Sequence, residues 1–184
     1  FKKVIDKQQT RVRKSLYNKE IFMRAPSNLI TREPPRQIIF EDFKIDLPIK
    51  GGWGYDFDTA CVIDKNDTSL SPAMPFNGVS VEHVFVEKRI YEEMIIFREQ
   101  NEKFSGIRWN LIKQEVQTHE GKPYDVLSFD VVGFPDAVWD RLVSRFEEIQ
   151  KLGKMELLPE LDAQREAEAL HFQRDFYFEI SSFY

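Results

Sequence analysis

Asp56 and Asp58 are the residues of this chain whose type and spacing come closest to a chemical site. They follow directly on a segment rich in glycine and aromatic residues, Gly51 to Tyr55. On an extended strand, two residues at this spacing point to the same side. Clustered carboxylates are the ligands that hard divalent cations prefer. Because the sequence identifies no third ligand, we predict neither a bound metal nor a cofactor.

The segment before this acidic pair contains three of the eight glycines of the chain. It lacks the Gly-Lys-Ser/Thr ending of a phosphate-binding loop and runs into strand-like sequence, so nucleotide binding is not predicted. One interpretation is a tight turn or bulge with Trp53 packed over the core, because glycine allows close approach. The other is a recognition loop that uses Trp53 and Tyr55. The residues predicted to form a binding site are Gly51, Gly52, Trp53, Gly54, Tyr55, Asp56 and Asp58.

The remaining candidate groups do not form a catalytic motif. The three histidines, His83, His119 and His171, are far apart in sequence and none has the spacing of a zinc site. Each is predicted to be a surface or partly buried side chain. Adjacent residues such as Glu82 and His83 point in different directions, which argues against a paired base. No catalytic residue is therefore predicted.

The other reactive or charged residue types have simple interpretations. Cys61 is the only cysteine, which excludes an intrachain disulfide, and its apolar neighbours predict a buried side chain. The pairs Glu92-Glu93 and Glu147-Glu148 are predicted to lie on solvated helix or strand faces.

The first part of the chain shows few clear patterns of helix or strand. Residues 1–23 are predicted to be a basic helix, and the prolines up to Pro35 indicate a stiff connector. We therefore divide the chain into a basic arm, 1–36, and a single domain, 37–184. Strand signals start at Gln37 and continue to Leu47, and a short strand covers 59–63. A long surface loop is predicted over 64–67 and 69–78.

The second part has a stronger pattern. A helix is predicted over 80–89 and a strand over 91–98, although β-branched residues make the first of these ambiguous. Two further strands, 107–116 and 126–132, are joined by the turn at Gly121. A helix follows from Pro135 to Gly153, another covers 160–172, and a last strand covers 176–180. The fold class predicted is α+β: a mainly antiparallel sheet of five to six strands with helices packed on one face.

Charge is distributed unevenly along this chain of 184 residues. The net charge is −5, yet residues 1–36 carry ten basic and three acidic side chains. The rest of the chain is therefore strongly acidic. No apolar run approaches the roughly 20 residues that a membrane-spanning helix needs. These features predict a soluble, cytoplasmic protein without a membrane partner.

The function that these features favour is a non-enzymatic protein-binding module. An acidic surface with aromatic anchors suits a basic protein partner. A bacterial inhibitor or immunity-type protein that neutralises a basic toxin is one concrete form. The alternative is a metal-dependent hydrolase that uses Asp56 and Asp58 with Glu82 or His83. A third hypothesis, nucleic-acid binding through the basic arm, is disfavoured because the acidic remainder repels phosphates.

Overall fold

A five-stranded sheet is the framework of the fold in the computed structural model, which describes residues 26–67 and 77–184. The strands are β1 (Ile49–Gly51), β2 (Cys61–Ile63), β3 (Phe104–His119), β4 (Lys122–Pro135) and β5 (Leu170–Glu179). Their order across the sheet is β1-β2-β5-β4-β3. All neighbours are antiparallel except β2 and β5, which are parallel. The predicted α+β fold with a mainly antiparallel sheet of five strands is confirmed, and the one parallel pair, β2 with β5, makes the sheet mixed.

Four α-helices accompany this sheet in the described part of the chain. They are α1 (Pro35–Phe43), α2 (Gly78–Tyr91), α3 (Asp136–Leu152) and α4 (Leu158–Glu168). A π-helical turn, Glu92–Ile96, continues α2 directly. Short 3-10 turns occupy Gln100–Glu102, Met155–Leu157 and Ser181–Phe183. No helix in these residues is long and apolar enough to cross a membrane.

The main core lies between α2 and one face of the sheet, which we call the first face. Side chains alternate along a strand, so every second residue of β4 and β5 points to this face. Leu127 and Phe129 of β4 and Phe176 and Phe178 of β5 are buried there, and the ring of Phe85 from α2 meets that of Phe178. Each ring of this size buries roughly 150–250 Å². The many phenylalanines of the chain therefore supply much of this core.

The opposite face, the second face, is covered at one end only. Phe134 points to this side and packs on Trp139 of α3, with ring centroids 5.3 Å apart. A separate apolar cluster joins Phe134 to Leu142 of α3 and Leu161 of α4. The α3–α4 pair therefore packs beside the end of β4. Further along, the second face carries polar side chains and a group of aromatic rings.

Two element predictions in the first half of the domain were wrong. The strand predicted from Gln37 to Leu47 is absent: residues 35–43 form α1 and residues 44–47 belong to no strand. Pro35 is placed at the first turn of α1, where its fixed φ favours a helix. Adjacent Ile38 and Ile39 are both buried in it. The predicted strand over 91–98 is also wrong, since the chain remains helical through Ile96. Of its two β-branched residues, Ile95 packs against the main core from the helix and Ile96 is 40% exposed, so neither takes part in a strand and packing outweighs their strand preference.

Other predictions are confirmed. The helix predicted over 80–89 exists as α2, and the strand signals around 61–63, 107–116, 126–132 and 176–180 belong to β2, β3, β4 and β5. Helix α3 ends as predicted, with Gly153 in a left-handed conformation at φ 66°. Helix α4 stops at Glu168, earlier than predicted, because β5 already begins at Leu170. Residues 64–67 of the predicted loop form a turn outside any helix or strand. The predicted helix over 1–23, and residues 69–76 of the predicted loop, lie outside the described residues.

Candidate binding face

The backbone of the glycine-rich segment packs closely against the backbone of two neighbouring segments. The N–H groups of Gly52 and Gly54 donate to Ala60 O and Thr59 O at 3.0 and 2.6 Å, and Tyr177 N donates to Gly54 O at 3.0 Å. A Cβ built on Gly52 would lie 2.5 Å from Thr59 O, too close for any side chain. Gly54 has φ +73°, which favours glycine. These glycines let the segment lie against β2 and β5.

Trp53 is buried within this segment. Its side chain is 5% exposed, its ring lies 6.1 Å from that of Phe85, and its Nε1 donates to Thr31 Oγ1 at 3.0 Å. This confirms the interpretation of Trp53 as a side chain packed over the core. A direct role in binding a partner stays a prediction that this burial disfavours.

Beneath the segment lies a buried ion-pair network centred on Arg89. Its Nη1 donates to Trp53 O and Gly54 O at 2.9 and 3.0 Å, and its Nε donates to Glu93 Oε1 at 2.8 Å. The guanidinium lies between the rings of Tyr55 and Phe176, 4.0 Å from each centroid. This stacking and the three hydrogen bonds offset part of the cost of burying a charge.

Tyr55 and Glu93 complete this network. The Tyr55 hydroxyl donates to Glu93 Oε1 at 2.8 Å and accepts from Leu29 N at 2.7 Å. Arg174 Nε donates to the second oxygen of Glu93 at 3.0 Å. Burial raises the pKa of Tyr55, and the Glu93 carboxylate adds to this shift. Tyr55 therefore has an internal role, and its predicted contact with a partner remains untested.

The prediction that Glu92 and Glu93 lie on a solvated face is wrong, because both side chains are buried. Their exposures are 0% and 4%. Burial raises the pKa of Glu92 to about 8, and the neighbouring Asp42 carboxylate adds to the shift. The carboxyl oxygens of Glu92 have no well-formed hydrogen bond within the described ranges. The pair Glu147-Glu148 is exposed, as predicted.

A second carboxyl pair lies near the other end of α2. Glu82 is 4% exposed, and Asp125 of β4 is 7% exposed on the same first face. Burial raises the pKa of Glu82 to about 7, with a further contribution from Asp125. Gln114 Nε2 donates to Asp125 Oδ2 at 2.6 Å. His83, next in sequence, is exposed and points elsewhere.

The predicted arrangement of Asp56 and Asp58 on one side of a strand is wrong, because both belong to a turn. Asp56 Oδ1 accepts from Thr59 N at 2.8 Å and from Thr59 Oγ1 at 2.6 Å. These hydrogen bonds, side-chain first, lower the pKa of Asp56. The carboxylate of Asp56 thus closes the turn, and short polar side chains suit this use. Asp58 is exposed beside it.

Phe57, between the two acids, is the centre of an aromatic cluster on the second face. Its ring stacks on His119 at 4.3 Å and meets Tyr124 and Tyr177 edge-on at 5.0 and 4.9 Å. Tyr124 is buried, whereas Phe57, His119 and Tyr177 remain partly exposed. This group of rings was not predicted from the sequence. The alternation of 122, 124 and 126 in β4 could have shown that Tyr124 shares a face with its cross-strand neighbours.

Carboxylates surround these rings. The phenol pKa of Tyr124 is raised by desolvation first and then by charges that include Glu179, Glu120 and Asp58. That of Tyr177 is raised by desolvation and then by Asp175, Asp56 and Glu115. Two lysines lie nearby, and each pairs with a carboxylate: Lys122 with Glu179 at 2.9 Å and Lys113 with Glu115 at 2.7 Å. We call this surface the acidic–aromatic patch: Asp56, Phe57, Asp58, Glu115, His119, Glu120, Asp175, Tyr177 and Glu179.

The middle of the second face offers no complete catalytic set. His171 Nδ1 lies 2.9 Å from Asp130 Oδ2, and its side chain is half exposed. Ser128 is on the same face, but it lies opposite Asp175. That position is four residues from His171, about 13 Å along the strand. A base and a nucleophile in hydrogen-bonding contact are therefore absent from this set of three residues.

The predicted hydrolase residues are not assembled into a metal site. The described ranges contain no group of three or more His, Cys, Asp or Glu that could hold a metal ion. Glu82 is buried against the first face, whereas Asp56 and Asp58 lie in the turn beside the second. Cys61 is fully buried, as predicted, and desolvation raises its pKa.

Comparisons with known proteins give no relative for this chain. No protein-family model, no curated protein and no solved structure matched it.

Proposed function

We propose that this protein is a non-enzymatic protein-binding module whose acidic–aromatic patch binds a basic protein partner. The observation that carries the proposal is the ring of carboxylates around the partly exposed Phe57, His119 and Tyr177. It combines the two features that interfaces use, aromatic anchors and complementary charge.

The patch divides these two tasks between different side chains. Phe57 stands between two acids and rests on three other rings, so its position is fixed before a partner arrives. A fixed side chain loses little entropy on binding. The exposed Asp58 and Glu120 attract a basic surface and speed its association.

An inhibitor or immunity-type protein against a basic toxin, such as a nuclease, is the form of this function that we favour. A nuclease surface is basic because it must hold phosphates, and the patch offers carboxylates in their place. The same charge argues against nucleic-acid binding at this patch. The metal-dependent hydrolase has no supporting observation in the described residues.

Affinity capture with two matched variants tests this proposal. The patch variant combines Phe57→Ser, Asp58→Lys and Glu120→Lys. The control variant, Glu147→Lys with Glu148→Lys, makes the same two charge reversals on the exposed side of α3. The full chain is immobilised and proteins captured from its source cells are identified by mass spectrometry. We expect a basic protein that the parent and the control retain and the patch variant loses.

The affinity of that partner then measures the aromatic anchor separately. We expect Phe57→Ala alone to weaken binding by about 2 kcal/mol, which is roughly 30-fold. Binding of the parent should also weaken with added salt. Equal capture by the patch and control variants, or a captured set of acidic proteins only, would refute the proposal.

A further inference from the structure

Strand β3 is a long, open edge of the sheet. Among the described residues, it has a strand neighbour on one side only, β4, along its whole length of 16 residues. An edge of this kind presents unpaired N–H and C=O groups that can pair with another strand. It also carries exposed apolar side chains, with Ile112 at 60% and Val116 at 61% exposure.

The sequence around the middle of β3 is complementary to itself. Ile112-Lys113-Gln114-Glu115-Val116 reads apolar, basic, neutral, acidic, apolar. If two copies pair antiparallel with Gln114 opposite Gln114, each Lys113 lies opposite a Glu115 of the other copy. Each Ile112 then lies opposite a Val116. Opposite charges and apolar pairs in direct cross-strand positions both stabilise a sheet.

The side-chain directions agree with this register. Lys113 lies opposite Ser128 and Glu115 opposite Val126, so both point to the second face. Their ion pair within the chain, 2.7 Å, confirms that they share a side. Val116 lies opposite Asp125 on the first face, whereas Ile112 belongs to the bulge between Leu111 and Lys113, where strict alternation does not apply. The charged pairs would therefore form on the second face of the joined sheet.

We propose that β3 is a self-association surface, through which a second copy of this chain extends the sheet antiparallel about a two-fold axis at Gln114. The β-bulge between Leu111 and Lys113 occurs once in each copy and so lies on both sides of the axis, where it limits regular pairing to the residues next to Gln114. A pairing of this length buries less than the roughly 1,200 Å² of a standard interface. The dimer is consequently reversible and its population rises with protein concentration.

The geometry of the pair has a consequence for the acidic–aromatic patch. Residues directly opposite each other share a face, so the two-fold axis runs perpendicular to the sheet. Both patches then lie on the same side of a ten-stranded sheet. A dimer would present two equal binding surfaces in one direction, which favours a partner with two basic sites. The self-association itself does not depend on the proposed function.

Charge reversal in the full chain tests the register. Sedimentation velocity of the parent should show a monomer–dimer equilibrium. Lys113→Glu and Glu115→Lys should each weaken dimerisation by roughly tenfold or more, because like charges then face each other. The double variant, with both changes, should dimerise like the parent. Val79→Lys, at another apolar side chain of 55% exposure, is the control and should change nothing.

Mixing the two single variants gives the most specific result. The Lys113→Glu copy carries a carboxylate at both positions, and the Glu115→Lys copy carries an ammonium group at both. In the mixed pair, every cross-strand contact between these positions therefore joins opposite charges. We expect a heterodimer from two proteins that each remain monomeric alone.

Thermal unfolding of each variant checks that the monomers are folded. A parent that stays monomeric at the highest accessible concentration, or a dimer insensitive to these charge changes, would overturn the proposal.

A disulfide at the axis gives an independent measurement. Directly opposite residues have Cα atoms about 4.5–5.5 Å apart, within the range of a disulfide. Gln114→Cys should therefore cross-link to its own copy under mild oxidation. Thr118→Cys, exposed on the same strand, should not, because it lies opposite position 110. Cys61 is buried and does not compete. Equal cross-linking at both positions would contradict the register.

Discussion

At the scale of single residues, Arg89 explains why the glycine-rich segment has its conformation. The side chain is 1% exposed, and its Nη1 is satisfied by two carbonyl groups of that segment. Only a backbone that passes close by can supply these acceptors. The glycines allow the close approach, and Tyr55 covers the guanidinium. The glycine-rich segment, the ring of Tyr55 and the guanidinium of Arg89 therefore form one structural unit.

We expect Glu93→Gln to destabilise the protein strongly. Glu93 is the carboxylate that balances Arg89 and also receives hydrogen bonds from Tyr55 and Arg174. Removing one member of a buried ion pair leaves an uncompensated charge and costs about 3–5 kcal/mol. Urea unfolding of the variant and of the exposed control Glu147→Gln measures this difference. If the variant loses less unfolding free energy than the loss of a surface ion pair would cost, the network contributes little to stability.

At the scale of elements, α2 carries most of the buried charge of the described structure. Glu82, Arg89, Glu92 and Glu93 are all buried along this helix and its π-helical turn. Two of them, Glu82 and Glu92, have pKa values raised to about 7 and about 8 by burial. The folded protein therefore holds protons at a pH where the unfolded chain releases them.

This linkage predicts that stability falls as pH rises. The folded-state pKa of Glu92 is above its ordinary value of 4.5, so its contribution is complete below pH 4.5 and is lost as pH rises through about 8. Glu92→Gln cannot ionise, so we expect the stability of the variant to rise by roughly 3 kcal/mol relative to that of the parent between about pH 5.5 and 8.5. Urea unfolding of parent and variant at both pH values measures this difference in stability. The exposed Glu147→Gln should follow the parent, and an unchanged pH slope for Glu92→Gln would contradict the assignment.

Element prediction from sequence succeeded where local signals and tertiary packing agree. Pro135 and Gly153 mark the ends of α3, and the alternation in β3 and β4 is that of real strands. It failed at residues 37–43 and 91–96, where β-branched side chains favour strands but the core requires a helical surface. The turn at Asp56 depends on a hydrogen bond to Thr59, which spacing alone does not reveal. The aromatic patch joins Phe57 to rings over 60 residues away, so only the fold brings it together.

At the scale of the whole molecule, the described part of the basic arm is in contact with the domain. Pro26 O accepts from Arg174 Nη2 at 2.7 Å, Leu29 N donates to Tyr55, and Thr31 accepts from Trp53. These three contacts all reach the network around Arg89. Residues 26–34 thus cover this network, although composition alone would place them in a separate arm.

We expect deletion of residues 1–34 to lower stability by about 2–3 kcal/mol relative to deletion of residues 1–25. The longer deletion removes the three hydrogen bonds to the network, each worth about 0.5–1.5 kcal/mol. It also removes Pro34 O, which accepts from Gln37 N and Ile38 N at the start of α1. The difference further includes exposure of Trp53 and Tyr55. Urea unfolding monitored by tryptophan fluorescence measures both truncated chains. Equal stability would show that residues 26–34 make no energetic contribution.

The parallel pairing of β2 with β5 also determines the order in which the chain can fold. Cys61 lies opposite Phe178, more than a hundred residues further along the chain. Closing so long a loop lowers the entropy of the chain before any stabilising contact has formed. The β3–β4 hairpin, in contrast, closes over a two-residue turn. We therefore expect the hairpin to form early and β2 to join the sheet late. During synthesis, α2 has only an incomplete sheet to cover until β5 has left the ribosome, and we expect its acidic side chains to stay hydrated until then.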